Sequence, residues 1–134
     1  MLGISSGVLI GMGAIYWSSS ASRAEAASFQ CNAPQVIDGD TLRCGNLRVR
    51  LDGIDAPEMP GHCRPGRKCT PGDPFASTES LRTLIGGKTL NCRKTDIDHY
   101  GRTVARCAAG EVDLSCAQID AGQAVRRYGW IWCG

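Results

Sequence analysis

The sequence predicts a small α+β domain that is mainly β, with short helices packed on a closed barrel and disulfides stapling it. Three observations carry this. Short strand-like runs punctuated by turn residues surround two short helical stretches. Residues 47–51 alternate apolar and basic side chains, the period-2 signature of a half-buried strand. The chain of 134 residues holds 8 cysteines, as small folds made in an oxidising compartment do.

Each element has its own warrant. Val36-Ile37 leads into the tight-turn sequence Asp38-Gly39-Asp40, and Thr41-Leu42 resumes a strand. Leu47, Val49 and Leu51 form the apolar face of the next strand, opposite Arg48 and Arg50, until Gly53 breaks the alternation as a bulge or close backbone approach would. Residues 59–74 contain Pro60, Gly61, Pro65, Gly66, Pro71, Gly72 and Pro74, which makes them a loop. Phe75 to Ile85 reads as a helix with Leu81, Leu84 and Ile85 on one face and Gly86-Gly87 as its stop. Thr89-Leu90 and Thr103-Val104-Ala105 are strands flanking the turn Asp98-His99-Tyr100-Gly101. Asp113 caps a second short helix through Ile119, stopped near Gly122. A last extended piece runs from Ala124-Val125 towards Tyr128.

Lys+Arg is 15 against 13 Asp+Glu, 43% of residues are hydrophobic and 21% charged. That mix excludes a disordered polyelectrolyte, a collagen-like repeat and a polytopic membrane protein. From Leu2 to Trp17 no side chain is charged, a stretch shorter than the ~20 residues of a spanning helix. Serines and the small-x-small pattern Ala24-Glu25-Ala26 follow. Residues 1–26 are therefore read as a cleaved signal peptide or an uncleaved N-terminal anchor, and residues 27–134 as the domain. Either way the domain is exported, to the periplasm or the medium, with membrane contact only if residues 2–17 are retained.

Chemistry concentrates in an acidic cluster, Asp38, Asp40, Asp52, Asp55 and Glu58. Carboxylates on turns at strand ends are hard oxygen ligands suited to Ca²⁺ or Mg²⁺. Asp38 reads as the residue that makes the turn, and Asp52 as an ion-pair partner of a neighbouring arginine. Asp55 and Glu58 lie on a segment stiffened by Pro57, where a solvated loop explains two acids poorly. Arg50 and Arg102 supply guanidinium forks that grip phosphate and stay charged at any working pH. Each arginine alone reads as a solvated strand residue; the ordered combination of acids, arginines and a cation suits phosphoryl transfer.

Ile37-Asp38-Gly39-Asp40-Thr41, then Val49-Arg50-Leu51-Asp52-Gly53-Ile54-Asp55-Ala56-Pro57-Glu58, then Asp98-His99-Tyr100-Gly101-Arg102 resemble, in order and spacing, the three motifs of the staphylococcal nuclease-like (thermonuclease) family. The resemblance covers about residues 33–130. It implies a five-stranded OB-fold barrel and Ca²⁺-dependent hydrolysis of DNA and RNA that leaves 3′-phosphate ends. Under it, Asp40 and Asp55 ligate Ca²⁺ together with the backbone carbonyl of Ala56, Glu58 positions or deprotonates the attacking water, and Arg50 and Arg102 clamp the scissile phosphate. His99, Tyr100 and Tyr128 fall at substrate-binding positions, where stacking is sequence-tolerant. The family pattern often has Thr at the position of Ala56, and its best-known member has a Lys at that of His99. That member also continues into a third helix, which this chain, stopping at Gly134, lacks.

Single-stranded DNA and RNA are then the substrate partners, no protein partner is implied, and the chain is expected to be a monomer. Two other readings compete. One is a catalytically idle OB-fold module that only binds nucleic acid, which loss of the metal acids or arginines would favour. The other is a disulfide-rich inhibitor-like scaffold presenting the loop 59–74. Arg64, Arg67 and Lys68 in that loop, like Arg126-Arg127, are surface charges that solvate or steer a polyanion. A zinc site on His62, Cys63 and Cys69 is disfavoured by spacing and compartment.

The cysteines pair by position. If strands meet through the Asp98–Gly101 turn, Cys92 and Cys107 lie directly opposite each other. Cys31 and Cys44 flank the Asp38-Gly39 turn with an offset that needs a bulge, and Cys63 and Cys69 close the proline-glycine loop. Cys116 is left for Cys133, a bond that ties down a tail carrying Trp130, Ile131 and Trp132.

Overall fold

The computed structural model describes residues 27–134 together with Gly3, Gly7 and residues 11–14, so the expected leader or anchor lies almost wholly outside the described residues. Among the described residues no helix is long and apolar enough to cross a membrane. The order is β1 (Ser28–Cys31), β2 (Gln35–Asp38), β3 (Thr41–Cys44), β4 (Leu47–Leu51), β5 (Ile54–Asp55), α1 (Pro74–Ile85), β6 (Leu90–Ile97), β7 (Thr103–Ala109), β8 (Val112–Asp113), α2 (Leu114–Asp120) and β9 (Val125–Arg126). β1, β5 and β8 are additions to the strands the sequence pattern identifies, because their few residues are too short for an alternation to register.

The main sheet runs β1-β6-β7-β4-β3-β2, with β8 beside β7, while β5 and β9 form a separate pair. Every pairing is antiparallel except β4 with β7, where Val49, Arg50 and Leu51 face Thr103, Val104 and Ala105. That parallel contact sets the start of the second motif beside the start of β7, and so brings Arg50 near Arg102. The sheet is curled. Its first strand, at one end, is tied by Cys31–Cys44 to β3, next to the other end, with Cα atoms 5.3 Å apart. Leu42, Val49, Leu51, Ile54, Leu90 and Ala105 fill the concave side, closed by Leu81 and Ile85 of α1 and Leu114 of α2.

Both helices start as their sequences require. Asp73 accepts from the Phe75 and Ala76 N–H groups at 2.9 and 3.2 Å, with Pro74 at the first helical position and Gly86 as the left-handed C-terminal stop. Asp113 accepts from Cys116 N at 2.9 Å. Fully buried Gln118 joins both helices to the first turn, donating to Gly39 O at 2.9 Å and Ser77 O at 3.0 Å. A Cβ at Gly39 would stand 1.8 Å from Ser77 Oγ, so only glycine lets the Asp38-Gly39-Asp40 turn pack this closely.

The four disulfides are Cys31–Cys44, Cys63–Cys69, Cys92–Cys107 and Cys116–Cys133. Cys92 and Cys107 face each other across β6 and β7. The bulge falls in β2 between Val36 and Asp38. Cys31, however, reaches Cys44 from β1, which pairs with β6, rather than across the hairpin.

The C-terminal tail is held by a single apolar side chain instead of three. Ile131 is buried, while Trp130 and Trp132 are 78% and 71% exposed, because alternate residues of an extended tail face opposite sides. Ile131 Cγ2 fills the space a Cβ on Gly53 would take, 2.3 Å away. Arg126 Nη1 donates to Ile131 O at 3.0 Å. Replacing Cys116 and Cys133 together with Ser removes a loop-closing bond worth roughly 3 kcal/mol in the chain-entropy model. The expected result in calorimetry is a Tm lower by several degrees; an unchanged Tm would mean that Ile131 alone secures the tail.

Candidate functional site

The parallel β4–β7 contact and the first turn open a cleft of about 440 Å³ lined by Asp40, Arg50, Glu58, Tyr100 and Arg102, among others. Arg50 is its hub. The strand pattern turns it away from the barrel core, but that side is closed in, and Arg50 is only 8% exposed. Its Nη1 donates to Ile54 O at 3.0 Å, and its Nη2 lies 3.2 Å from Asp55 Oδ1 and 3.6 Å from Asp40 Oδ2. The expectation that a lone strand arginine is solvated fails here because β5 folds back over it.

Asp40 is held from two sides, by Thr41 Oγ1 at 2.9 Å and by the Ala56 N–H at 2.9 Å. Ala56 is itself buried. Burial, and then the charge of Asp38, push the Asp40 carboxyl up to about 7 against the opposing pull of Arg50. Asp38 makes the turn, accepting from Asp40 N at 3.1 Å, and also lines the cleft. Asp55 is 1% exposed. Its second oxygen accepts from Thr70 Oγ1 at 2.8 Å and Arg127 Nη1 at 2.9 Å.

Glu58 stands half-buried at the cleft wall, its Oε1 3.6 Å from Arg67 Nη1. Arg102 is fixed through Asp98, which accepts from Arg102 Nε at 2.7 Å and from the backbone N–H groups of Tyr100 and Arg102. Burial raises the Asp98 pKa, but the hydrogen bonds and charge of Arg102, with the Tyr100 N–H, outweigh it, so the net shift is downward. Asp98 thus stays ionised and keeps Arg102 in place. A second recess, of about 280 Å³, opens between His99, Tyr100, Arg102 and Tyr128. The His99 and Tyr100 ring centroids are 4.0 Å apart.

The two tyrosines carry arginines on their rings. Arg64 and Arg102 lie 4.9 and 5.2 Å from the Tyr100 centroid, and Arg127 and Arg50 lie 4.9 and 5.2 Å from that of Tyr128. Tyr100 and Tyr128 remain 48% and 59% exposed. Arg67 and Arg127, which the sequence presents only as surface charges, reach Asp55; Arg67 also donates to Tyr128 Oη at 2.9 Å. Burial works against the Arg67 charge, but Tyr128, Asp55 and Glu58 together hold it more firmly protonated than usual. No spacing rule announces these contacts, since they join the loop 59–73 and the tail to motifs far away in the chain. His62 lines the cleft, but Cys63 and Cys69 are spent in a disulfide and cannot ligate zinc. Among the described residues no group of three or more His, Cys, Asp or Glu side chains converges on one metal position.

The model of the family described as Staphylococcal nuclease homologue matches residues 48–130. The chain belongs to that family. This staphylococcal nuclease homologue is 33% identical over 94 residues to a succinoglycan biosynthesis protein, ExoI, from Rhizobium meliloti (strain 1021), covering 69% of this chain and 49% of that protein. It is 33% identical over 90 residues to a probable endonuclease, LCL3, from Candida tropicalis (strain ATCC MYA-3404 / T1), covering 63% of this chain and 36% of that protein. It is 29% identical over 103 residues to an uncharacterized endonuclease from Escherichia coli O157:H7, covering 73% and 58%. The matched part of this nuclease homologue thus spans 36% to 58% of these relatives' lengths. The family is described as that of a nuclease, and two of these three relatives are named endonucleases.

Proposed function

We propose that the chain is an exported, monomeric, Ca²⁺-dependent endonuclease that cleaves single-stranded DNA and RNA with little sequence specificity, leaving 3′-phosphate ends. The observation that carries this is the meeting of Glu58, Arg50 and Arg102 around one cleft whose inner wall is the Asp40 carboxylate. Export is supported by the four disulfides and by the leader-like composition of residues 1–26.

The donor set fits a hard cation. Two buried carboxylates converge on the single Nη2 of Arg50, so a positive charge is already accepted there, and Asp40 remains incompletely compensated. Asp40, Asp55 and the Ala56 carbonyl would hold Ca²⁺, which supplies polarisation of a phosphate oxygen when bound. Glu58 takes the proton of the attacking water as its oxygen bonds to phosphorus. Arg50 and Arg102 stabilise the charge that grows on the equatorial oxygens, and the P–O5′ bond breaks with its electron pair on O5′, which takes a proton from water to leave as the 5′-hydroxyl. Tyr100 and Tyr128 flank the nucleotide with their exposed ring surfaces, and the His99 ring packs beside Tyr100.

One observation favours the idle binding module as the runner-up: both oxygens of Asp55 are already engaged, by Arg50, Thr70 and Arg127. A single assay separates the two. The purified, oxidised chain is incubated with single-stranded DNA in Ca²⁺, in Mg²⁺ and in a chelator. Cleavage in Ca²⁺, little in Mg²⁺ because of its stricter octahedral demand, and none in chelator is expected. Binding without cleavage under all conditions would establish the module instead.

A further inference from the structure

Residues 63–69 form a short loop closed on itself by the Cys63–Cys69 disulfide. Its far end is anchored beside the acids. Thr70 donates to Asp55, the Lys68 carbonyl accepts from Arg127 Nη1 at 3.1 Å, and Gly72 lies against Pro57, where a Cβ would meet Pro57 Cγ at 2.9 Å. The loop presents two guanidinium groups to the cleft, and both Arg64 and Arg67 line it. Arg64 Nη1 donates to Tyr100 Oη at 3.2 Å, and Arg67 Nη2 to Tyr128 Oη at 2.9 Å. Tyr100 is thus contacted by Arg102 and by Arg64 of the loop, and Tyr128 by Arg50, by Arg127 and by Arg67 of the loop.

We infer that Arg64 and Arg67, presented by the disulfide-closed loop 63–69, bind phosphates next to the one addressed by Glu58, Arg50 and Arg102, so that the site takes a polynucleotide rather than a lone phosphodiester. The inference rests on the nuclease reading of the same cleft. Three features support it. Arg67 stands 3.6 Å from Glu58, so a phosphate attacked by water at Glu58 has Arg67 within reach. The guanidinium fork matches phosphate oxygens in pairs. The covalent closure fixes both forks, so little ordering entropy is lost when a chain of phosphates arrives. The ion pairs of Arg67 to Asp55 and Glu58 are long, 3.9 and 3.6 Å, and leave donor capacity for an incoming anion.

The test is equilibrium binding of a phosphorothioate oligothymidylate of about twelve nucleotides, within the range of roughly 4–16 per OB-fold site, in Ca²⁺ over a salt series. The parent and Arg64→Ala/Arg67→Ala chains are compared, with Lys88→Ala as a control that removes a positive charge elsewhere, on the surface turn after α1. The double variant is expected to bind at least about tenfold more weakly, with a log–log salt slope shallower by about 1.4, or about 0.7 for each single-strand phosphate that is no longer neutralised. Lys88→Ala is expected to keep the parental slope. The ratio of kcat/KM on the longer strand to kcat/KM on a dinucleotide is expected to fall in the double variant. A parental slope in the double variant, or tighter binding because the loop arginines merely plug Glu58, would overturn the inference and leave the nuclease reading intact. A parent chain that neither binds nor cleaves would overturn both.

Discussion

Glu58→Gln is expected to lower the single-strand cleavage rate by 10²–10⁴-fold, the usual worth of a positioned general base, without weakening the fold. Gln keeps the shape and the acceptor but cannot take a proton. The side chain is half-buried, and its one ion pair, to Arg67 at 3.6 Å, joins two partly solvated groups, a kind of contact worth about 0–1 kcal/mol. Calorimetry should therefore return a near-parental Tm, and strand binding should persist. Steady-state kinetics should show the loss in kcat, with KM little changed, as for a group that acts chiefly in the transition state. A variant that cleaves at the parental rate would remove Glu58 from the chemistry.

Arg50→Ala is expected to damage both function and stability. Its guanidinium lies between two carboxylates that are 6% and 1% exposed. Removing one partner of a buried ion pair typically costs about 3–5 kcal/mol, because the other charge stays buried without compensation. Arg127 still reaches Asp55 Oδ2, which limits the loss on that side; Asp40 has no such second cation within ion-pairing range among the described residues. Arg50→Lys should restore part of the stability, since a charge returns, but little of the activity, since one ammonium cannot serve Ile54 O, Asp55 and a phosphate together. Urea unfolding and cleavage measured on both variants check this. Equal stability of Arg50→Ala and the parent would show that the carboxylates are balanced without it.

Much of this was legible in the chain. The Asp38 turn, both helix caps, the hairpin that sets Cys92 against Cys107, and the three motifs in order are all local signals, and local signals follow from φ/ψ preference and period. Contacts made only by the tertiary fold were not legible. Nothing in the strand pattern says that β4 meets β7 in parallel, or that β1 crosses to β6, since any apolar strand satisfies the same alternation. Arg50 reads as a solvent-facing strand residue because the pattern gives its side of the strand but not what covers that side. Arg67 and Arg127 read as surface charges for the same reason. In the tail, residue type alone does not say which of Trp130, Ile131 and Trp132 is buried; extended geometry lets Ile131 alone face inward.

The bond from Cys31 to Cys44 bears on how the chain is made. β1 pairs with β6, Ser28 lying opposite Arg93, so that ladder waits for β6. Cys44 follows Cys31 by only 13 residues. Chains elongate at about 5–20 residues per second, so an oxidant meeting the nascent polypeptide can link these two cysteines seconds before β6 has been synthesised. The first strand is then tethered beside its eventual neighbours while the half of the sheet it must join is still to come. In the exported chain proposed above, the crosslink would act as a placeholder in vectorial assembly and shorten the search in a topology whose late, long-range pairing is otherwise slow.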